Sequence, residues 1–358
     1  MRFHSLGMAG IARSFRYQGQ TAANVTDLRN STEGDHSMNS SETGALRATT
    51  NLDHQRFEQV AKDKVYFHAE QATEAFEDDS HLETLSLRHW REGNPAERRA
   101  FAEALDRGMR DIGFVYLVDH GIDPGLFEEA DRRTRAFFEE TPEADKQRFL
   151  ARRFGSVNQG YFPYKKSTQM HPDLVQGWVF ARRAFELPGA EVDLPRFWPD
   201  PADERFFRQV YQALEPLALP LMRAILEGFG CPADLYDQRL MDTLCALRLN
   251  YYPGLSAADE QLGAARLLGH EDVTLFTFLP ASPVEGLQVF HRKTGKWIRL
   301  NPPPGTVIVN AGDYLQRITN NVFQSSTHRV SPPRDLEARH RPRTSFPLFV
   351  YLREEDRV

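Results

Sequence analysis

Two imidazoles and a carboxylate stand at spacings that suit a metal ion. His270 and Asp272 lie in Leu268-Gly269-His270-Glu271-Asp272-Val273-Thr274, and His328 lies in Ser326-Thr327-His328-Arg329-Val330. On an extended strand, side chains at i and i+2 share a face, so His270 and Asp272 can reach one ion while His328 returns beside them on a later strand. Three ligands on one side of a divalent ion leave its other positions open for substrate and dioxygen, the arrangement that suits Fe(II). Zinc also accepts histidine and carboxylate, so the triad alone leaves zinc hydrolysis open.

A second constellation weighs against zinc. Arg343 and Ser345 flank Thr344 and share one side of a strand, where a guanidinium and a hydroxyl form a fork for a carboxylate. In Arg248-Leu249-Asn250-Tyr251-Tyr252-Pro253, Asn250 and Tyr252 share a face and can add an amide and a phenol to that fork. The combination describes a pocket that grips an acid at one end and offers a metal at the other.

The elements that must carry these groups fall into two textures. Residues 1 to about 80 are rich in Ser, Thr, Asn, Gly and Asp with little apolar periodicity, and are expected to be a flexible, largely disordered leader. Within it, residues 1–26 contain Arg2, Arg13 and Arg16 and no acid, a pattern shared by organellar transit peptides and by inert leaders. Asp53 to Phe67 shows some helical pattern. Order is expected from about Leu85, and residues 81–235 read as helical. Asn94-Pro95 opens a helix that buries Phe101, Leu105, Met109 and Ile112, and Gly113 ends it before a short strand, Phe114 to Val118. Asp123 caps a second helix with Phe127, Ala130, Thr134 and Phe137 inward, and His120, at the turn before it, is read as a structural hydrogen-bonding residue. Pro201 to Gly228 reads as a long helix that Pro216 and Pro220 should kink or divide.

Residues 236–358 break into short β-like runs separated by Gly and Pro. The expected strands are Thr243 to Tyr252, Val273 to Leu279, Gly286 to His291, Lys296 to Leu300, Thr306 to Val309, Tyr314 to Ile318, Thr327 to Val330 and Thr344 to Leu352. Such spacing predicts a two-sheet sandwich or barrel with the helical half packed on one face, an α+β and mainly β architecture. Tyr161, Trp178 and Phe180, with Arg182 nearby, are candidates for a pocket suited to a small organic molecule carrying an acid group.

Composition narrows the partners. A net charge of −6 over 358 residues argues against nucleic acid, and no apolar run approaches the roughly 20 residues of a membrane-spanning helix. Cys231 and Cys245 form no Cys-x-x-Cys pair, so both are expected as buried free thiols in a reducing, cytoplasmic compartment.

The chain resembles the isopenicillin N synthase-like group of Fe(II)/2-oxoglutarate-dependent oxygenases from about Leu85 to Leu352. The helical half carries Asp111-Ile112-Gly113-Phe114-Val115-Tyr116-Leu117 and His120-Gly121-Ile122. The β half carries His270-x-Asp272, Gly286-Leu287-Gln288-Val289, Pro304 to Asn310, Gly312-Asp313, Leu315-Gln316-Arg317, Asn320, Ser326 to Val330 and Arg343-x-Ser345. The resemblance implies a double-stranded β-helix, or jelly roll, flanked by N-terminal helices. It implies iron on His270, Asp272 and His328, with Arg343, Ser345 and Tyr252 on the distal carboxylate of 2-oxoglutarate and Asn250 near its chelating end. The implied reaction uses dioxygen, releases succinate and CO2, and hydroxylates, desaturates or cyclises a small molecule at a C–H bond. A 2-oxoglutarate-independent oxidase, of the isopenicillin N synthase or aminocyclopropane carboxylate oxidase type, is the alternative within the group.

Two departures are visible. Glu271 stands where many members have Thr or a small residue, and alternation should point it away from the metal. The chain reaches Val358 soon after Ser345, where many members continue into a helix over the substrate mouth, so residues 50 to 85 are expected to help cover it.

Overall fold

The computed structural model describes residues 70, 73–79, 82–154, 157–164, 174–181, 198, 200–241, 245–261, 265–353 and 356. The chain divides into two units, Met1–Thr49 and Thr50–Val358, and the fold below is that of the second. The transit-like stretch 1–26, the helical pattern at 53–67 and Arg182 lie outside the described residues.

The helices begin where the capping residues predict. For α1 (Pro95–Asp111), the Asn94 side chain accepts from the Ala96 and Glu97 backbones at 2.9 and 3.1 Å, and the Glu97 carboxylate accepts from the Asn94 backbone at 2.8 Å. This capping box satisfies donors that the first turn would leave open, and losing such a cap costs about 1 kcal/mol. Helix α2 (Pro124–Glu140) starts at Asp123, whose carboxylate accepts from Gly125. It buries Ala130, Thr134 and Phe138, with Phe127 and Phe137 partly buried beside them. The stretch 201–228 divides at Pro216 into α3 (Pro201–Leu214), a 3₁₀ turn over Glu215–Leu217, and α4 (Ala218–Gly228). Pro220 falls in the first turn of α4, where a missing N–H breaks no intrahelical bond.

Strands among the described residues are, in chain order, β1 (Phe76–Glu77), β2 (Thr84–Ser86), β3 (Phe114–Val118), β4 (Arg152–Phe154), β5 (Val157–Phe162), β6 (Gln176–Ala181) and β7 (Cys245–Tyr252). There follow β8 (Leu267–His270), β9 (Phe276–Pro280), β10 (Leu287–His291), β11 (Lys296–Arg299), β12 (Val307–Ala311), β13 (His328–Val330), β14 (Arg343–Ser345) and β15 (Leu348–Val350). The smaller sheet runs β1-β11-β10-β13-β8, and the larger runs β2-β3-β12-β9-β15-β7-β6-β5-β4 with β14 also on β7. Only β1–β11 and β2–β3 pair in parallel among them.

Side-chain alternation in the larger sheet separates two cores. Leu247 and Leu249 face the helices and pack with Leu105, Leu214 and Leu221. Phe114, Tyr252 and Ile308 face the other way and meet Val289, Ile298 and Val330 of the smaller sheet. Two sheets facing across an apolar interior, with helices on one outer side, make the expected jelly roll.

The sequence expectation fails at 314–318, which is a helix, α5 (Asp313–Ile318). Gly312 permits it. A Cβ there would lie 2.3 Å from the Thr274 carbonyl oxygen, and that close approach brings the N–H groups of Gly312, Asp313 and Tyr314 onto the carbonyls of Leu275, Asp272 and Thr274. The open donors of a helix start are thereby satisfied by the segment that carries Asp272.

Order also begins earlier than Leu85. Phe76 and Glu77 pair with Trp297 and Ile298, inside the stretch expected to be leader. Glu74 forms a two-point ion pair with the fully buried Arg329 at 3.0 and 2.5 Å, and Glu70 bonds Gln288 and Arg299. Gln288 and Arg329 alternate with Val289 and His328, so this strap crosses the face of the smaller sheet opposite the triad. Residues 70 and 74–77 of the expected cover therefore lie behind the smaller sheet. Cys231 is exposed, against expectation, and Cys245 is buried; both are free thiols. His120 is structural as read: its Nδ1 accepts from Ile122, and its Nε2 donates to the Gly305 carbonyl at 2.8 Å.

Candidate active site

His270 and His328 face each other across the β8–β13 ladder, with ring centroids 4.3 Å apart. Asp272 lies just past the end of β8 rather than on it, and still turns to the same point. Its Oδ1 is 3.8 Å from His270 Nε2, and its Oδ2 is 3.9 Å from His328 Nε2. Bonds of about 2.1 Å to one ion keep two ligand atoms within about 4.2 Å of each other, so both separations fit a shared cation. Among the described residues, this is the trio of His, Cys, Asp or Glu whose ligand atoms converge, all within 4.8 Å.

The surroundings orient each ligand. His270 Nδ1 meets the Leu268 carbonyl at 2.8 Å and His328 Nδ1 meets the Ser326 carbonyl at 3.1 Å. A carbonyl can only accept, so each Nδ1 carries the proton and each Nε2 keeps its lone pair for a metal. Asp272 Oδ2 accepts from Thr277 Oγ1 at 2.7 Å and from Asn310 Nδ2 at 2.8 Å. Burial pushes the Asp272 carboxyl up, but the two histidines and these hydrogen bonds outweigh it and hold the group below the usual carboxylate range. The donor set is thus pre-shaped for a divalent ion such as iron.

Glu271 points away from the triad, as alternation predicts, but it is buried. Its Oε1 accepts from Arg292 Nη2 at 2.7 Å and from Thr327 Oγ1 at 3.0 Å. The residue between the two front ligands is thereby tied to the residue before the third.

The acid-binding fork forms across β7 and β14, where Arg343 sits opposite Tyr252 and Ser345 opposite Asn250. Directly opposed residues share a face, so all four converge. Asn250 Nδ2 donates to Ser345 Oγ at 3.2 Å, and the Arg343 guanidinium lies 5.1 Å from the Tyr252 ring centre. Arg343 is 2% exposed, and its Nη1 and the Asn250 Oδ1 are buried without hydrogen-bond partners among the described residues. Burial pushes the Arg343 guanidinium down, partly offset by Tyr252. A buried guanidinium with an unsatisfied donor is costly, and an anion's carboxylate satisfies it.

The expected substrate aromatics are elsewhere. Tyr161, Trp178 and Phe180 belong to the helix-facing core, with Trp178 edge-on to Phe137 at 5.1 Å and Phe180 against Trp198 at 4.8 Å. Alternation explains the correction: their neighbours Phe162, Gly177, Val179 and Ala181 take the inner face. On that face Val179, Ala181 and Ala246 cluster with Phe162 and Tyr351. Arg248, opposite Val179, shares the face of Asn250 and Tyr252, and its guanidinium lies 5.6 Å from the Phe162 ring centre. A Cβ on Gly177 would lie 2.8 Å from Arg248 Nε, so glycine makes room for it. The Tyr351 phenol is pushed up by burial and then by the Asp272 charge, with Arg248 acting in the opposite sense, so it sits in the field of both. Sequence reading missed Arg248, Tyr351, Thr277 and the role of Asn310. The same period-two rule that paired Asn250 with Tyr252 would have reached Arg248.

Residues 243–351 match the family model of the 2OG-Fe(II) oxygenase superfamily, and residues 82–201 match that of the non-haem dioxygenase in morphine synthesis N-terminal region. The 2-oxoglutarate-Fe(II) type oxidoreductase ppzD of Metarhizium majus (strain ARSEF 297) is 29% identical over 307 residues, covering 78% of this chain and 86% of its own. Gibberellin 3-beta-dioxygenase 1 of Oryza sativa subsp. japonica is 30% identical over 266 residues, covering 70% and 65%. The crystal structure of a full-length Neurospora crassa protein in complex with alpha-KG and thymine superposes with a TM-score of 0.67 at 27% identity, covering 79% of this chain and 89% of that one.

Proposed function

The chain belongs to the 2OG-Fe(II) oxygenase superfamily, and we propose that His270, Asp272 and His328 hold its iron while Arg343, Ser345, Tyr252 and Asn250 hold 2-oxoglutarate. It is a non-haem Fe(II)- and 2-oxoglutarate-dependent dioxygenase. One observation carries the residue assignment. Three ligand atoms converge on the inner side of the jelly roll, and an acid fork with buried unsatisfied polar atoms opens onto the same interior.

Bound iron supplies the oxidising chemistry, coupling loss of CO2 from 2-oxoglutarate, which leaves succinate, to oxidation of a substrate C–H bond by dioxygen. The protein's residues prepare that chemistry. The Leu268 and Ser326 carbonyls hold both imidazoles with Nε2 forward, and Thr277 and Asn310 fix the Asp272 carboxylate through Oδ2, so these three side chains would hold the iron. Arg343 and Ser345 give the distal carboxylate charge-assisted and neutral donors, which fixes the cosubstrate's direction in the pocket. Phe162, Val179, Ala181, Ala246 and Tyr351 form an apolar wall on the inner face, with Tyr351 in the field of Asp272. Arg248 adds a cation to that same face, and a small organic molecule carrying an acid group suits such a wall. The free thiols support a reducing, cytoplasmic setting.

The test is succinate release from labelled 2-oxoglutarate by protein loaded with Fe(II), across a panel of small carboxylic acids. Succinate formation with matching oxygen uptake, stimulated by one class of acid, is expected. Absence of both 2-oxoglutarate binding and succinate release would overturn the assignment.

A further inference from the structure

The fork is not the sole cationic group at the acid-binding end of the interior. Arg266 is fully buried. Its Nη2 donates to the backbone carbonyls of Arg341 at 2.8 Å and Arg339 at 3.3 Å, which places the guanidinium against the segment leading directly into Arg343. Among the described residues, Arg266 Nε and Nη1 have no hydrogen-bond partner. Burial pushes the Arg266 guanidinium down to about 10, with the Arg343 charge the next cause and Tyr252 opposing both, so Arg266 feels the charges of the fork.

Two buried guanidiniums with three unsatisfied nitrogens between them, Arg266 Nε and Nη1 and Arg343 Nη1, form an arrangement that repels itself until an anion joins it. Clamping the 339–341 backbone explains Nη2 alone. It leaves the fork of Nε and Nη1 without a role.

We propose that Arg266 is a second guanidinium of the cosubstrate pocket, donating to the distal carboxylate of 2-oxoglutarate beside Arg343. This rests on the reading of that pocket given above. It goes further in making discrimination between 2-oxoglutarate and a 2-oxo acid without a distal carboxylate depend on two arginines. A 2-oxo monoacid leaves both guanidiniums unpaired in the interior, so the pocket rejects it more strongly than one arginine would.

The experiment measures binding to the full-length protein loaded with Mn(II), by calorimetric titration with 2-oxoglutarate and separately with 2-oxopentanoate. Wild type is compared with R266M, R266K and R343M. For R266M, 2-oxoglutarate affinity should fall about 10-fold to 100-fold, the scale of a charge-assisted hydrogen bond, while 2-oxopentanoate affinity holds or rises. R266K should keep part of the discrimination, because the charge remains without the fork. A purely structural Arg266 would instead lower both affinities together, or leave both unchanged, and either result overturns the proposal. If R266M fails to fold, the affinity ratio in R266K decides: a ratio equal to wild type overturns the assignment, and a reduced ratio supports it. If R343M also leaves 2-oxoglutarate binding intact, the reading of the whole pocket fails, and that outcome is distinct from failure of Arg266 alone.

Discussion

Thr327 Oγ1 donates to Glu271 Oε1 at 3.0 Å, joining the residue between His270 and Asp272 to the residue before His328. Arg292 donates to the same oxygen at 2.7 Å. The bond crosses from the β8 segment to β13, so the spacing of the metal ligands is set partly from behind. Glu271→Ala should reduce stability by about 1–3 kcal/mol, because the half-buried Arg292 loses its acid while keeping Gln324 and the Ser325 carbonyl. It should also weaken metal binding about 10-fold to 100-fold, the usual scale for an outer partner. Urea unfolding with a parallel Mn(II) titration checks both, and an unchanged metal affinity would confine Glu271 to stability.

Replacing the ligands themselves should act on metal binding with little effect on folding. His270→Ala, Asp272→Ala and His328→Ala should each lose more metal affinity than the about 10-fold to 100-fold expected of Thr277→Val or Asn310→Ala. Equilibrium dialysis against Fe(II) under nitrogen ranks the five variants. A ligand variant that binds iron as well as Thr277→Val would remove that residue from the set.

On β6 and β7, alternation predicts opposite consequences for neighbouring side chains. Phe180→Ala should cost about 3–5 kcal/mol of stability, since the ring fills the core against Trp198. Arg248→Met should instead raise the KM for an acidic substrate about 10-fold or more, the scale of a charged hydrogen bond, with a small change in melting temperature. Substrate KM values and thermal unfolding of the two variants separate these outcomes.

The strap on the smaller sheet should matter to stability. Glu74→Gln leaves Arg329 buried without its acid and should cost about 3–5 kcal/mol. Chemical unfolding measures it, and a loss below about 1 kcal/mol would show that the pair contributes little.

Acid should loosen the cluster around His291. Its Nδ1 meets Glu77 at 2.6 Å, and its Nε2 lies 3.7 Å from Asp111. Burial pushes both carboxyls up. Hydrogen bonds from His291 and Thr294 to Glu77, and from Lys293 to Asp111, outweigh it and leave both below their ordinary values. A depressed carboxyl contributes stability above its unfolded pKa, about 4, and loses that contribution as pH falls through the folded pKa. Stability should therefore decline below about pH 4, and Glu77→Gln should flatten part of the decline. Urea midpoints from pH 6 to pH 3 test the sign.

Much of the site was legible because its signals are local. Asn94, Asp123 and Pro216 announce helix starts and a break through one-turn chemistry, and the structure follows them. The fork was legible for the same reason, since period-two alternation on β7 and β14 is a property of neighbouring residues. Tyr314 to Ile318 misled because its apolar spacing suits a short strand as well as a short helix; the helix depends on carbonyls near Asp272 that arrive from another segment.

The sequence by itself determined which residue types can bind a metal and an acid, and which of them share a face within one strand. Only the tertiary structure decided which face is inward. That choice turned Tyr161, Trp178 and Phe180 toward the helices and brought Phe162, Val179 and Arg248 toward the triad. It also set Arg266 against the Arg339 and Arg341 carbonyls that lead into Arg343, since a guanidinium's surroundings depend on what folds against it rather than on its neighbours in the chain.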